Sequence, residues 1–351
     1  MYFRLFGGIA LAALLSACGA GSDDTSDTGT DAPAEQVVNI YSSRHYDTDL
    51  QLYEGFTAET GIAVNRIEAG ADELIERIRA DGEFSPADLL ITVDAGRLWR
   101  AEQAGIFAAV ESDVLESRIP ENLRHPDGLW FGLSTRARVI VYNREEGAPE
   151  GLTSYADLAD SAYADQVCIR SSSNIYNISL MASMVSRDGP EAAEEWASAV
   201  VSNFARTPQS NDTGQIRAVA SGECSIAVVN TYYIARLIAS DDPADNEVAA
   251  AIGVIFPNQD STGTHVNISG AGLVATAPNR DNAIRFLEYL TTDSAQAYFA
   301  DGNHEYPAVI GLKGSEALQS LGEFEADSLN AAELGIHQAE AVMVFDRAGW
   351  E

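Results

Sequence analysis

The stretch VVNIYSSRHYDTDLQLYEGFTAETGIAVNRIEAG, residues 37–70, decides the fold class of this chain. Its first residues, VVNIYSS (37–43), form a short apolar run that predicts a strand. TDLQLYEGFTAETG (48–61) predicts a helix that ends at Gly61, and IAVNRIEAG predicts a second strand. Strands that alternate with helices in this way favour an α/β fold, in which helices cover both faces of a mostly parallel sheet.

The same alternation continues along the chain. LWFGLSTRARVIVYNRE (129–145) is a long β-rich run that could leave one domain and enter another, and HVNISGAGLVATAPN predicts the return crossing. DNAIRFLEYLTTDSAQAYFAD predicts one long amphipathic helix, and the last 40 residues are mainly helical and acidic. We therefore expect two α/β lobes joined by two hinge crossings. The predicted segments are strands ADLLITVD (87–94), QVCIRSS and CSIAVVN, and helices ADELIERIRADG, AGRLWRAEQAG, NIYNISLMASMVSRDG, PEAAEEWASAVVSNF, TGQIRAVASGE and TYYIARLIAS.

The N-terminus, MYFRLFGGIALAALLSAC, has the features of a signal peptide. Arg4 precedes an apolar run of about a dozen residues and a small-residue approach to Cys18. Leu15-Ser16-Ala17-Cys18 resembles the bacterial lipobox, which predicts removal of residues 1–17 and a lipid on Cys18. The alternative is an ordinary secreted protein. Residues 18–36 are acidic and contain no aliphatic side chain larger than alanine, so they predict a disordered tether.

The charge balance argues against a nucleic-acid-binding protein. The chain has 53 acidic and 21 basic residues, a formal net charge of −32, and Lys313 is its single lysine. Such a surface repels the phosphate backbone of nucleic acids. The excess is otherwise explained by solubility and does not identify a site.

Two further cysteines, Cys168 and Cys224, remain in the mature chain. Disulfides persist outside the cytoplasm, so a bridge between them is one expectation. The alternative is that each is a small buried apolar residue.

Enzyme motifs do not account for this sequence. It contains no G-x-S-x-G, no H-E-x-x-H and no Walker A lysine. The five histidines are isolated, so no pair at i, i+4 spacing could bind a metal. They stand at positions 45, 125, 265, 304 and 337.

Tyrosines are placed unusually at strand-to-helix turns. Tyr46 follows the first strand, Tyr176 follows a strand in the second half, and Tyr232 and Tyr233 follow another. In open α/β sheets such turns face the ligand crevice. Adjacent side chains in a first helical turn are about 100° apart and can converge, whereas on a strand they would point to opposite faces.

Clustered phenols require a cation. A free phenol has a pKa near 10, and phenolates placed together raise one another's pKa. A bound ion reverses this preference, and phenolate oxygen is best matched to a hard ion such as Fe³⁺. The candidate ligands of such an ion are Tyr46, Tyr176, Tyr232, Tyr233 and His45.

Several segments resemble the ferric-iron-binding proteins of ABC importers, most of all their FutA branch. The resemblance covers residue 37 to about residue 310 and implies a class II periplasmic binding fold. It implies that the four tyrosines and His45 bind the ferric ion, with Arg136 and Arg236 beside the ligands; Asp47 and Glu68 are not needed. The segments are SSRHYDTD (42–49), GLSTRARVIVYN (132–143), the Tyr176 turn, residues 215–233 and NISGAGLVATAPNRDNAIRFLEYL (267–290).

The resemblance implies a monomeric, lipid-anchored protein of the periplasm or cell envelope that delivers Fe³⁺ to the permease and ATPase subunits of an importer. The alternatives are a binding protein for an organic or oxyanion ligand, a tethered iron sensor, and a hydrolase or oxidoreductase that uses the cleft tyrosines. The enzyme alternative is weakened because the sequence shows no catalytic nucleophile together with a general base. The sequence leaves open Fe²⁺ binding, a companion anion, direct ligation by His45, the membrane leaflet and release. The expected division is a first lobe of residues 37–134 and 267–310, a second lobe of residues 135–266, and a C-terminal helical segment of residues 311–351.

Overall fold

The first β-α-β unit forms as the sequence predicts. Strands β1 (Val37–Ser42) and β2 (Ala63–Glu68) pair in parallel, and helix α1 (Asp49–Thr60) connects them. The helix ends because Gly61 takes a left-handed φ of 74°, which glycine adopts without a Cβ clash, and its N–H bonds the Thr57 carbonyl.

The computed structural model describes residues 36–44, 46–209 and 211–351. The predicted leader, lipidated Cys18, most of the tether and His45 lie outside these residues. Within them, no helix is long and apolar enough to cross a membrane.

The remaining strands include two long ones that connect the lobes. β5 and β9 carry the two predicted crossings. The strands after β2 are β3 (Leu89–Val93), β4 (Phe107–Ala108), β5 (Phe131–Asn143), β6 (Val167–Cys168), β7 (Ile226–Asn230), β8 (Ile252–Ile255), β9 (Val266–Val274) and β10 (Tyr306–Pro307).

Helices follow most of these strands. The helices after α1 are α2 (Ala71–Asp81), α3 (Ala95–Gln103), α4 (Asp113–Arg118), α5 (Ile175–Asp188), α6 (Pro190–Ser202), α7 (Asp212–Ala220), α8 (Thr231–Ile238), α9 (Pro243–Ala251), α10 (Arg280–Tyr289), α11 (Asp293–Asn303), α12 (Glu316–Gln319), α13 (Ala331–Ile336) and α14 (Gln338–Ala348).

Two details of the sequence prediction are corrected. The sheet is mixed: β1 pairs in parallel with β2 and β3, and β6 with β7, whereas β9 runs antiparallel to β3 and β5, and β5 runs antiparallel to β7 and β8. A crossover helix between two strands makes them run parallel. The crossing strands β5 and β9 are not connected to their sheet neighbours by such a helix, so this constraint does not set their direction.

The single helix predicted over DNAIRFLEYLTTDSAQAYFAD is two helices, α10 and α11. The hydroxyl of Thr292 accepts a hydrogen bond from the Ala295 N–H and caps α11, so the chain starts a new helix at this position. The C-terminal part is helical only in the short helices α12, α13 and α14, which irregular segments separate.

Each lobe has its own apolar core. The first packs Ile40, Phe56 and Leu89 with Trp130 and Phe286, all essentially inaccessible to solvent. The second lies on both faces of its sheet. Because side chains alternate along β5, Ile140 joins the cluster around β6 and α5 while its neighbours join the cluster around α7 and α8. The neighbours are Val139 and Val141.

The C-terminal segment contributes to both cores. Leu334 of α13 packs with the first lobe, and Phe345 of α14 and Trp350 pack with the second. The C-terminal segment therefore packs against both lobes.

Candidate metal centre

The tyrosines of the second lobe are positioned by two helix N-termini. Asn174 caps α5, its side chain accepting a hydrogen bond from the Tyr176 N–H. Helix α8 begins at Thr231, directly after β7, so Tyr232 and Tyr233 lie in its first turn. Both sites therefore present phenols in the first turn of a helix that follows a strand in the chain, with residues 169–174 separating β6 from α5.

The structure brings the predicted tyrosines together. The Tyr232 hydroxyl donates to the Tyr176 hydroxyl at 3.0 Å. The Tyr232 and Tyr233 rings lie side by side, with centroids 4.2 Å apart and planes tilted by 31°. Tyr232 is buried and Tyr233 is half-buried against the α7–α8 core, so the two rings differ in how far they are packed.

Arg236 joins the two lobes at this cluster. Its Cζ atom lies 4.9 Å from the ring centroid of Tyr232 and 5.9 Å from that of Tyr233 on the same helix. It also lies 5.3 Å from the ring centroid of Tyr46, which follows β1 in the first lobe. One guanidinium thus contacts three of the four predicted ligands.

Arg136, the other predicted arginine, lies on β5 and is buried. Its Cζ atom is 5.8 Å from the Tyr176 ring centroid, and its Nη1 donates to the Ser269 hydroxyl at 2.9 Å. Its Nε and Nη2 atoms have no hydrogen-bond partner among the described residues. Both atoms are buried, and the guanidinium that carries them lies beside the Tyr176 ring.

Other donor types do not form a competing centre. Within residues 36–44, 46–209 and 211–351, no group of three or more His, Cys, Asp or Glu could hold a metal ion. Asp47 is exposed, and Glu68 forms an ion pair with Arg66. The guanidinium groups of Arg136 and Arg236 lie beside the tyrosines.

Comparisons with known proteins identify the family of this chain. Residues 84–321 match the family of bacterial extracellular solute-binding proteins. Iron uptake protein A1 of Synechocystis sp. is 52% identical over 339 residues, covering 96% of this chain and 93% of the relative. The Fe(3+)-binding periplasmic protein of Serratia marcescens is 25% identical over 314 residues, covering 89% of this chain and 90% of the relative.

The structural comparison gives the same answer. A structure of Trichodesmium FutA (IdiA) in complex with iron and citrate ligands has a TM-score of 0.87 at 52% identity and covers 90% of this chain and 100% of that chain. This chain belongs to the bacterial extracellular solute-binding proteins, in the FutA branch. The two-lobe class II fold and the family resemblance predicted from the sequence are thereby confirmed.

A buried cluster of ion pairs lies beside Tyr46 in this FutA-branch protein, and the sequence analysis did not predict it. Arg44 lies with its Cζ 4.8 Å from the Tyr46 ring centroid. It donates to Asp49 at 2.8 Å and to Glu305 at 2.9 Å. Glu305 also accepts from the Ser134 hydroxyl at 2.9 Å. Arg44 stands in the quoted segment SSRHYDTD, which was the available signal, whereas nothing local distinguished Glu305 among 53 acids.

A second buried cluster lies behind the tyrosines of the second lobe. Asp212 pairs with Arg138 and Arg170, and the Cζ atom of Arg170 lies 5.3 Å from the Tyr176 ring centroid. Arg138 belongs to the same STRARV segment as Arg136 and points to the same face of β5, because residues two apart on a strand share a face. That periodicity was the sequence signal for it.

Cys168 and Cys224 form a disulfide in the structure, with their Cα atoms 5.9 Å apart. Cys168 ends β6 and Cys224 lies just before β7. The bond joins the strands that lead to the Tyr176 and Tyr232 turns.

Burial favours the protonated form of three of the phenols, Tyr46, Tyr176 and Tyr232. Burial raises the pKa of Tyr46, and Glu305 adds to this effect while Arg44 and Arg236 oppose it. Burial likewise raises the pKa of Tyr176 and, more strongly, that of Tyr232, which the neighbouring tyrosines raise further. A cation must therefore displace protons to bind here.

The remaining described histidines are dispersed. Burial lowers the pKa of His265 to about 3, so it stays neutral, and His337, between α13 and α14, lies beside Glu333 of α13. His304 contacts the Ser315 hydroxyl, and His125 lies beside Glu102.

Proposed function

We propose that this protein captures Fe³⁺ in the interlobe cleft through tyrosine phenolates and delivers it to an ABC importer. One observation carries the proposal: Tyr46 from one lobe and Tyr232 and Tyr233 from the other lie around the guanidinium of Arg236, and the Tyr232 hydroxyl bonds that of Tyr176. The iron uptake and Fe(3+)-binding names of its relatives support the same cargo.

Charge balance explains why the cargo is a trivalent hard cation. Burial raises the pKa of three of the four phenols, so each binds as a phenolate only if the ion strongly favours the ionised form. Four phenolates around Fe³⁺ leave a net charge of about −1. Arg236 and Arg136 offset that negative charge, and Arg guanidinium remains charged at any working pH.

The proposed ligands come from both lobes, so lobe closure completes the coordination. Tyr46, with His45 beside it, belongs to the first lobe, whereas Tyr176, Tyr232 and Tyr233 belong to the second. Ions held between two domains are commonly enclosed by hinge motion about the connecting strands. We take residues 37–134 with 267–310 and residues 135–266 as the two moving lobes.

We also propose that an oxygen-rich anion accompanies the ferric ion. The unpartnered Nε and Nη2 atoms of Arg136 supply its donors beside Tyr176. Citrate lies with iron in the Trichodesmium FutA structure, which supports this class of anion.

The proposed location and partners follow from the family and the leader. A solute-binding protein of this family works with permease and ATPase subunits, which we take as the partners. We propose that the lipid anchor is at Cys18, that the mature protein is monomeric, and that it is not an enzyme.

The test is optical. Phenolates on Fe³⁺ produce an intense visible charge-transfer band, so the purified protein is expected to turn orange to red with ferric citrate. The double variant Tyr232→Phe with Tyr233→Phe should lose most of the colour and affinity, while Tyr163→Phe, whose hydroxyl bonds the Glu150 carbonyl, serves as the matched control. A colourless wild-type protein that instead retains an organic ligand through chelator treatment would overturn the proposal.

A further inference from the structure

Asp212 occupies a junction behind the tyrosines of the second lobe. It is fully buried at the start of α7. Its Oδ2 accepts from the Asn230 N–H at 2.9 Å and from Arg138 Nη1 at 3.2 Å, and its Oδ1 accepts from Arg170 Nη1 at 3.4 Å. One carboxylate therefore holds two guanidinium groups and the last residue of β7.

Arg138 carries this connection to both tyrosine turns. Its Nη1 donates to the Asn230 side chain at 3.0 Å, and its Nη2 donates to the Asn177 side chain at 2.6 Å. Asn230 ends the strand immediately before Thr231 and Tyr232, and Asn177 directly follows Tyr176. A planar guanidinium presents its donors at fixed angles, so it fixes the separation of the two turns.

The Tyr176 turn is anchored a second time. The Asn177 side chain donates to the Arg170 and Ser171 carbonyls at 2.8 and 3.2 Å. Arg170 itself is held by Asp212, and its guanidinium faces the Tyr176 ring. Asp212 is thus linked through Arg138 and Asn177 to the backbone of the Tyr176 turn, and it also holds the Arg170 guanidinium that faces the Tyr176 ring.

We infer that Asp212 is a positioning residue for the metal centre, which holds the turns of Tyr176 and Tyr232 so that their hydroxyl oxygens converge on one ion. The inference rests on the proposed iron-binding function. Asp212 acts through Arg138, Arg170 and Asn230 and is not itself a ligand.

The test compares two buried carboxylates of the same kind. Asp212→Asn keeps the side-chain shape and loses the charge that holds the two arginines. The control is Asp327→Asn, which removes a buried carboxylate paired with Arg187 on α5. Among the described residues, this pair makes no contact with the rings of the four tyrosines. Iron affinity, the wavelength and intensity of the visible band, and the melting temperature are measured for each.

Removing a group that orients a metal ligand typically weakens metal binding 10–100-fold. We therefore expect Asp212→Asn to lose about that much Fe³⁺ affinity and to shift the charge-transfer band, and Asp327→Asn to lower the melting temperature alone. An unchanged band and affinity in Asp212→Asn would overturn the inference, as would an equal loss of affinity in both variants.

A second variant covers the case in which Asp212→Asn does not fold. Asn177→Ala removes the bond from Arg138 and the bonds to the Arg170 and Ser171 carbonyls, which together anchor the Tyr176 turn, and it leaves every charge in place. About a tenfold loss of affinity with a shifted band is expected. Wild-type affinity in folded Asn177→Ala would refute the positioning role. A colourless wild-type protein would instead refute the proposed function, so the two failures are distinguishable.

Discussion

Removing the hydroxyl of Tyr232 tests the protonation chemistry of the centre directly. Tyr232→Phe keeps the buried ring and its stacking on Tyr233, and it removes the oxygen that donates to the Tyr176 hydroxyl at 3.0 Å. The change therefore separates the ring's packing from its role as a ligand.

The expected magnitude follows from the raised pKa values. Burial keeps the pKa of Tyr46, Tyr176 and Tyr232 above the ordinary value of 10. Ionising a free phenol of pKa near 10 at pH 7 costs about 4 kcal/mol, and burial makes the cost larger for each of these three phenols. Binding of the ferric ion must offset this cost.

The sign of the pH dependence is determined by the same protons. A raised pKa keeps the proton on the metal-free phenol, so acid favours the metal-free form and iron affinity falls as pH falls. Each phenol that becomes a ligand releases one proton and adds one decade of affinity per pH unit. Tyr232→Phe should therefore release one proton fewer and lower the slope of log affinity against pH by one.

Competition titrations with ferric citrate between pH 6 and 8, together with calorimetry in buffers of different ionisation enthalpy, measure both quantities. Protons from the iron source cancel in the difference between variant and wild type. Tyr163→Phe should leave the slope unchanged. An unchanged slope and proton count in Tyr232→Phe would show that this ring only packs behind its neighbour.

Three further predictions concern the surroundings of the tyrosines. Arg236→Gln should weaken Fe³⁺ binding about 10–100-fold while the protein keeps its visible band, because the guanidinium faces the rings of three proposed ligands and is not itself a ligand; undiminished affinity in equilibrium competition contradicts this. Cys168→Ala with Cys224→Ala should lower the free energy of unfolding by about 4 kcal/mol, the value for a loop closed over 56 residues; an unchanged denaturation midpoint argues against it. Ser179→Ala removes the hydroxyl on α5 that donates to Asp94 at 2.9 Å across the lobes, so small-angle scattering should show a larger radius of gyration for the iron-free protein; identical scattering from both proteins rejects a role in closure.

Local sequence pattern determined the positions of the tyrosines along the fold. Apolar runs followed by helical periodicity placed Tyr46, Tyr176 and the Tyr232–Tyr233 pair where the chain passes from a strand to a helix, the region in which α/β proteins bind ligands. Their adjacency in a first helical turn then implied that the pair faces one point. Such inferences succeed because they depend on residues within about one turn of each other.

The charged framework around those tyrosines was decided by tertiary structure alone. Arg44 and Glu305 are 261 residues apart in sequence, and Arg138 and Asp212 are 74 apart, yet both pairs are buried. Whether an acid is buried and paired depends on which distant elements exclude water around it, and 53 acids look alike in sequence. The antiparallel pairing of β5 and β9 was likewise set by the tertiary structure, in which both strands run between the lobes. Local periodicity does not encode the direction of a neighbouring strand, so the sequence pattern could not predict it.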